Sequence, residues 1–145
     1  MTEFQRKTIR AFPLHEKGRI RGAGRHIRRY LTHTRGLSRG LRLQTFIVDY
    51  RLRPYTRQEG ALDVARAVRF IRKNADVYGI DPDDIAVMGY SAGGIQAGEF
   101  FLNFDEDVLP TALDPDYIPD ELDEVSVHAS AAGMIYSFYG RLSVA

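Results

Sequence analysis

Ile85-Ala86-Val87-Met88-Gly89-Tyr90-Ser91-Ala92-Gly93-Gly94 is the stretch on which the reading of this chain turns. Ile85 to Met88 is a short apolar run suited to a buried strand, and the sequence from Ala92 to about Asn103 predicts a helix. Gly89-x-Ser91-x-Gly93 falls at the junction between them. In that setting the serine occupies a sharp, strained turn that holds its hydroxyl clear of the backbone, which makes Ser91 a candidate nucleophile. Gly89 and Gly93 are expected as its flanks because a side chain at either would collide with the neighbouring strand and helix. The helix directs unpaired N–H groups and a partial positive charge at the same spot, so the backbone N–H of Ala92 is the expected donor to an oxyanion. A phosphate loop would need Gly-x-x-x-x-Gly-Lys-Ser/Thr and a dinucleotide fingerprint Gly-x-Gly-x-x-Gly. Neither spacing is present.

Upstream, Thr45-Phe46-Ile47-Val48-Asp49-Tyr50 is a β-branched and aromatic run ended by Arg53-Pro54, and it predicts a strand. Val64, Val68, Ile71, Ala75 and Tyr78 then recur on one face of a 3.6-residue period, which predicts an amphipathic helix. Gly79 ends it, and Asp81-Pro82-Asp83-Asp84 turns the chain back. Downstream, the acidic residues 105–124, punctuated by Pro110, Pro115 and Pro119, read as a solvated surface loop. Ala131 to Tyr139 is consistent with a further strand. Strand, helix, strand, helix implies parallel strands joined by right-handed crossovers, so the fold class is α/β, a parallel sheet with flanking helices.

Val48-Asp49-Tyr50-Arg51-Leu52, Asp81-Pro82-Asp83-Asp84-Ile85 and Gly89-Tyr90-Ser91-Ala92-Gly93-Gly94, in this order and spacing, resemble α/β-hydrolase esterases of the acetyl-esterase and hormone-sensitive-lipase-like groups. The resemblance covers about Leu43 to Ala145 and implies a partial α/β-hydrolase fold. It also implies a small-molecule ester substrate and acyl transfer through Ser91 and an acyl-enzyme, without a metal or other cofactor. Tyr90, where many lipase-like members carry Asp, tilts the expectation toward acetyl esters. Two departures matter. Residues 1–42 hold no His-Gly-Gly oxyanion loop, since Gly22-Ala23-Gly24 lacks the histidine and a preceding apolar strand. Only 54 residues follow Ser91, where the family places its acid and its histidine. Asp114 to Asp123 and His128 follow in the right order, but His128 precedes the run at Ala131 and so enters that strand from the end opposite the serine. The expectation is therefore an esterase fragment without its acid, histidine and His-Gly-Gly loop, inactive as it stands.

Composition adds a second reading. The 145 residues are 44% hydrophobic and 27% charged, ordinary for a globular protein, and the absence of cysteine excludes disulfides and thiolate chemistry. The net charge of +1 conceals two unlike parts, +10 over residues 1–42 and −9 over residues 43–145. Residues 1–42, rich in Arg and Gly and holding His15, His26 and His33, show no apolar period and are expected to be poorly ordered. They read as a nucleic-acid-binding arm, an Arg-rich targeting presequence, a stretch foreign to the family, or an ordered segment without a recognisable pattern. The three histidines have no metal-ligand spacing. A non-catalytic hydrolase-like protein that binds nucleic acid or an acidic surface through this segment is the alternative function, although nucleic acid is not the favoured partner. No apolar run approaches the roughly 18 residues of a membrane span and no secretory signal is visible, so a cytoplasmic location without membrane contact is expected. The oligomeric state stays open.

Overall fold

A computed structural model describes residues 7–10, 44–104 and 117–138 of the chain. His15, His26, His33, Gly22-Ala23-Gly24 and most of the acidic stretch lie outside these residues. In chain order the elements are β1 (Lys7–Arg10), β2 (Phe46–Asp49), α1 (Arg57–Lys73), α2 (Ala75–Tyr78), β3 (Ala86–Tyr90), α3 (Ala92–Asn103) and β4 (Ala131–Ile135). The strand, helix, strand, helix order around Ser91 is the one the sequence pattern predicts.

The strands form two parallel pairs. β1 lies beside β2 with Lys7 opposite Phe46, and β3 lies beside β4 with Ala86 opposite Ala131 and Tyr90 opposite Ile135. Among the described residues β2 and β3 are not hydrogen-bonded to each other. β1 differs from the expectation for residues 1–42, since four of them form a strand. Lys-Thr-Ile-Arg is too short and too polar to carry a periodic signal, so only its pairing with β2 reveals it.

α1 begins in a capping box. Glu59 N–H donates to the Thr56 hydroxyl at 3.2 Å while the Thr56 N–H donates to the Glu59 carboxylate at 2.7 Å, so two otherwise orphaned donors are satisfied reciprocally. Its apolar stripe is buried, with Leu62, Val64, Ala65, Val68 and Ile71 in one cluster with Ile85, Phe100 and Phe104, and with Phe46, Val48 and Val87 packed against it. Both strand pairs therefore share one core. The helix predicted to reach Tyr78 is interrupted at Asn74, whose side-chain amide donates to the Phe70 carbonyl at 2.8 Å. The short α2 then ends on Gly79, whose φ of 64° is the left-handed conformation that glycine adopts without penalty.

The acidic stretch departs from its expected solvation where it is described. Tyr117 is buried, accepts from Arg66 at 2.7 Å and donates to Asp123 at 2.7 Å. Arg69 pairs with Asp123 at 2.6 Å, Arg66 with Asp120, and Lys73 with Glu121 at 2.8 Å. The basic face of α1 is thus covered by residues 117–123. Burial first, and then the bond to Asp123, push the Tyr117 hydroxyl up to about 12. Among the described residues no helix is long and apolar enough to cross a membrane.

Candidate active site

β3 ends at Tyr90 and α3 begins at Ala92, so a single residue, Ser91, makes the whole turn between strand and helix. Its φ of 52° and ψ of −117° lie in a region that L-residues with a Cβ rarely occupy. Such a conformation costs roughly 1–3 kcal/mol and persists only where the surroundings over-determine it. Here β4 supplies much of that constraint. The Ser91 N–H donates to the Ile135 carbonyl at 2.9 Å, and the Ser91 carbonyl accepts from the Ile95 N–H at 3.1 Å and from the Ser137 hydroxyl at 3.0 Å. The Ser91 side chain makes no capping bond to the helix, and the residue is exposed. Ala92 is the first residue of α3, within the turn whose N–H groups have no acceptor inside the helix.

The glycines around the serine divide differently from expectation. A Cβ on Gly89 would lie 2.1 Å from the Gly93 carbonyl oxygen and 2.6 Å from the Gly94 nitrogen, backbone contacts that nothing nearby can relieve. The collision expected at Gly93 is absent. A Cβ there would meet the Tyr50 hydroxyl at an ordinary 3.9 Å. Gly94 is the second crowded position, because its Cβ would fall 1.9 Å from the Ser137 Oγ and 2.9 Å from the Gly89 carbonyl oxygen. Gly89→Ala is therefore expected to lower the melting temperature steeply, at the upper end of the ~1–3 kcal/mol typical of overpacking or beyond it. Gly93→Ala should be neutral or stabilising, since alanine is favoured over glycine in a helix by about 1 kcal/mol. Equal losses in thermal unfolding of the two variants would contradict this assignment.

One further residue approaches the turn, and its neighbour fixes the segment that carries it. Tyr50, just after β2, brings its hydroxyl beside Gly93, and burial raises its pKa so that it stays a neutral donor. Arg51 anchors the adjoining segment to α1: its backbone N–H donates to the Asp63 carboxylate at 2.7 Å and its Nε at 3.1 Å, while Nη2 reaches the Glu59 carbonyl at 3.0 Å. Asp63 was invisible to periodicity because it is a charged residue inside the apolar face of α1. Its burial raises its pKa, with Arg51 acting in the opposite direction.

His128 is exposed and lies at the other end of the β3–β4 pair, where Ser130 N–H donates to the Ile85 carbonyl at 2.9 Å. With a rise of about 3.3 Å per residue, six residues of strand separate that end from Ser91 by roughly 20 Å. The described acids Asp120 and Asp123 are engaged with Arg66 and Arg69. Among the described residues, no cluster of His, Asp and Glu is placed to hold a metal ion.

The BD-FAE family model matches residues 32–117, more than half of the chain, and that span contains β2, α1, β3, the Ser91 turn and α3. The match begins at residue 32, inside the segment set apart from the domain on charge. The chain is similar to endo-1,4-beta-xylanase B of Butyrivibrio fibrisolvens, with 50% identity over 44 residues, 30% of this chain and 7% of that protein. It is also similar to the acetylxylan esterase of Xylanibacter ruminicola, with 43% identity over 49 residues, 34% of this chain and 10% of that one. The matched stretches are thus small parts of these relatives. Among solved structures it is similar to the apo form of Thermogutta terrifontis esterase 2, with a TM-score of 0.48 and 25% identity over 68% of this chain and 35% of that one. With its parallel strands, flanking helices and strand-to-helix serine turn, the chain belongs to the BD-FAE family of α/β-hydrolase esterases.

Proposed function

We propose that this chain carries the nucleophile of a serine ester hydrolase, with Ser91 as the attacking residue and Ala92 N–H as one oxyanion donor. The observation that supports it most is the left-handed backbone of Ser91 at a strand-to-helix junction, with its hydroxyl uncommitted to helix capping. The Ser91 Oγ adds to the ester carbonyl carbon while a base takes its proton, and the carbonyl electrons move onto oxygen, facing the Ala92 N–H. Collapse expels the protonated alcohol and leaves an acyl-serine, which water then clears. Among the described residues, His128 and the acids Asp120 and Asp123 are not brought to Ser91.

Short acyl esters, acetylated sugars in particular, are the substrate class we favour. The acetylxylan esterase and the xylanase among the relatives support that choice, as does Tyr90 beside the serine. The test is to expose the chain to a fluorophosphonate for long periods and locate the adduct by peptide mass spectrometry. An adduct confined to Ser91 and lost in Ser91→Ala is expected. Adducts spread over Ser126, Ser130 and Ser137 with Ser91 unmodified would overturn the assignment.

A further inference from the structure

We propose that Ser137 is a positioning residue for Ser91, acting through the backbone of the turn rather than on the substrate. It rests on the reading of Ser91 as the nucleophile, but its geometry is independent of that chemistry. Ser137 follows β4 by two residues and donates its hydroxyl to the Ser91 carbonyl at 3.0 Å. The Ile135 carbonyl accepts from the Ser91 N–H at 2.9 Å, so the end of β4 holds the peptide groups on both sides of the Ser91 Cα. Those two peptide groups define the φ and ψ of Ser91, the torsions that turn its hydroxyl outward. The hydroxyl of Ser137 sits where a side chain on residue 94 would otherwise be, 1.9 Å from the position a Cβ of Gly94 would take. The absence of a side chain at residue 94 is thus matched to the presence of a hydroxyl at residue 137. Tyr136, between Ile135 and Ser137, is the only other described non-glycine residue with positive φ, at 55°, and that turn carries the chain from the Ile135 carbonyl to the Ser137 hydroxyl.

Ser130 provides an internal control. At the opposite end of β4 its hydroxyl donates to the Ile85 carbonyl at 3.3 Å, a bond of the same type between the same two segments but remote from the turn. Amide hydrogen exchange resolved by residue, together with thermal melting, tests the role in Ser137→Ala, Ser130→Ala and the parent chain. Loss of one net hydrogen bond should speed exchange of the Ser91 and Ile95 amides about 2- to 10-fold in Ser137→Ala. The amides of Val87 and Met88 and the melting temperature should match those of Ser130→Ala. Unchanged exchange at Ser91 and Ile95 overturns the proposal. So does a uniform acceleration along β3 and β4 in Ser137→Ala, because the hydroxyl then supports the strand pair and not the turn. Exchange is read whether or not Ser91 reacts with an ester or a phosphonate, so failure here is separate from failure of the nucleophile assignment.

Discussion

Hydrolysis of an activated acetate ester by the isolated chain is expected to stay at the background rate, with Ser91→Ala indistinguishable from the parent. A neutral serine hydroxyl is a poor nucleophile until a neighbouring base removes its proton. Removing the serine or the histidine of a complete triad costs about 10⁶-fold in kcat, and roughly 10³- to 10⁴-fold over water survives from the oxyanion hole and substrate binding. Here the one described histidine, His128, stands at the far end of β4, and the second oxyanion donor expected from a His-Gly-Gly loop has no counterpart in residues 1–42. The surviving fraction should therefore shrink further. Steady-state rates for the parent, Ser91→Ala and His128→Ala check this. A parent rate well above background that both substitutions abolish would show that His128 reaches the serine after all.

Arg51→Ala is expected to destabilise the fold by about 3–5 kcal/mol, the range for removing one partner from a buried ion pair. The side chain of Asp63 is 4% exposed and that of Arg51 14%, and two donors of Arg51 reach the carboxylate, its backbone N–H and an Nε–H shared between the two oxygens. Alanine keeps the backbone donor and removes the countercharge. The deficit should depend on pH with a definite sign. Burial raises the Asp63 pKa in the folded chain, so the folded state holds an extra proton in the window between the unfolded and folded values. Stability is therefore favoured below that window and lost as pH rises through it. Without Arg51 the folded pKa climbs further, which widens the window upward. Chemical denaturation across mildly acidic to neutral pH should show the variant approaching the parent at low pH and diverging as Asp63 ionises. A constant difference across pH would contradict the buried-charge explanation.

The elbow was legible because its signals are local. An apolar run, a Gly-x-Ser-x-Gly and a 3.6-residue period are all written within a few residues of Ser91, and strand, turn and helix follow them closely. The pattern misleads where the deciding partner is distant in sequence. Gly-x-Ser-x-Gly points to a steric role at Gly93 that belongs to Gly94, because the obstacle there is Ser137, on the far side of the acidic stretch and β4. The same distance hides the pairing of Arg66 and Arg69 with Asp120 and Asp123, so the acidic stretch reads as solvated from its own residues alone. Arg51 stands within Val48-Asp49-Tyr50-Arg51-Leu52, but its partner is Asp63, a charge on the buried face of α1 that an apolar pattern passes over.

On the proposed reading of Ser91 as the nucleophile, the described residues bring no base to it, and supplying one from solution is the direct test. Ser91 is exposed, so free imidazole can approach it. Fluorophosphonate labelling of Ser91, followed by mass spectrometry against imidazole concentration, should start from a negligible rate and rise in proportion to the neutral imidazole. No such rise should occur at any serine in Ser91→Ala. Rapid stoichiometric labelling without imidazole would show that a base is already present, and labelling of other serines while Ser91 stays unmodified would show that it is not the nucleophile.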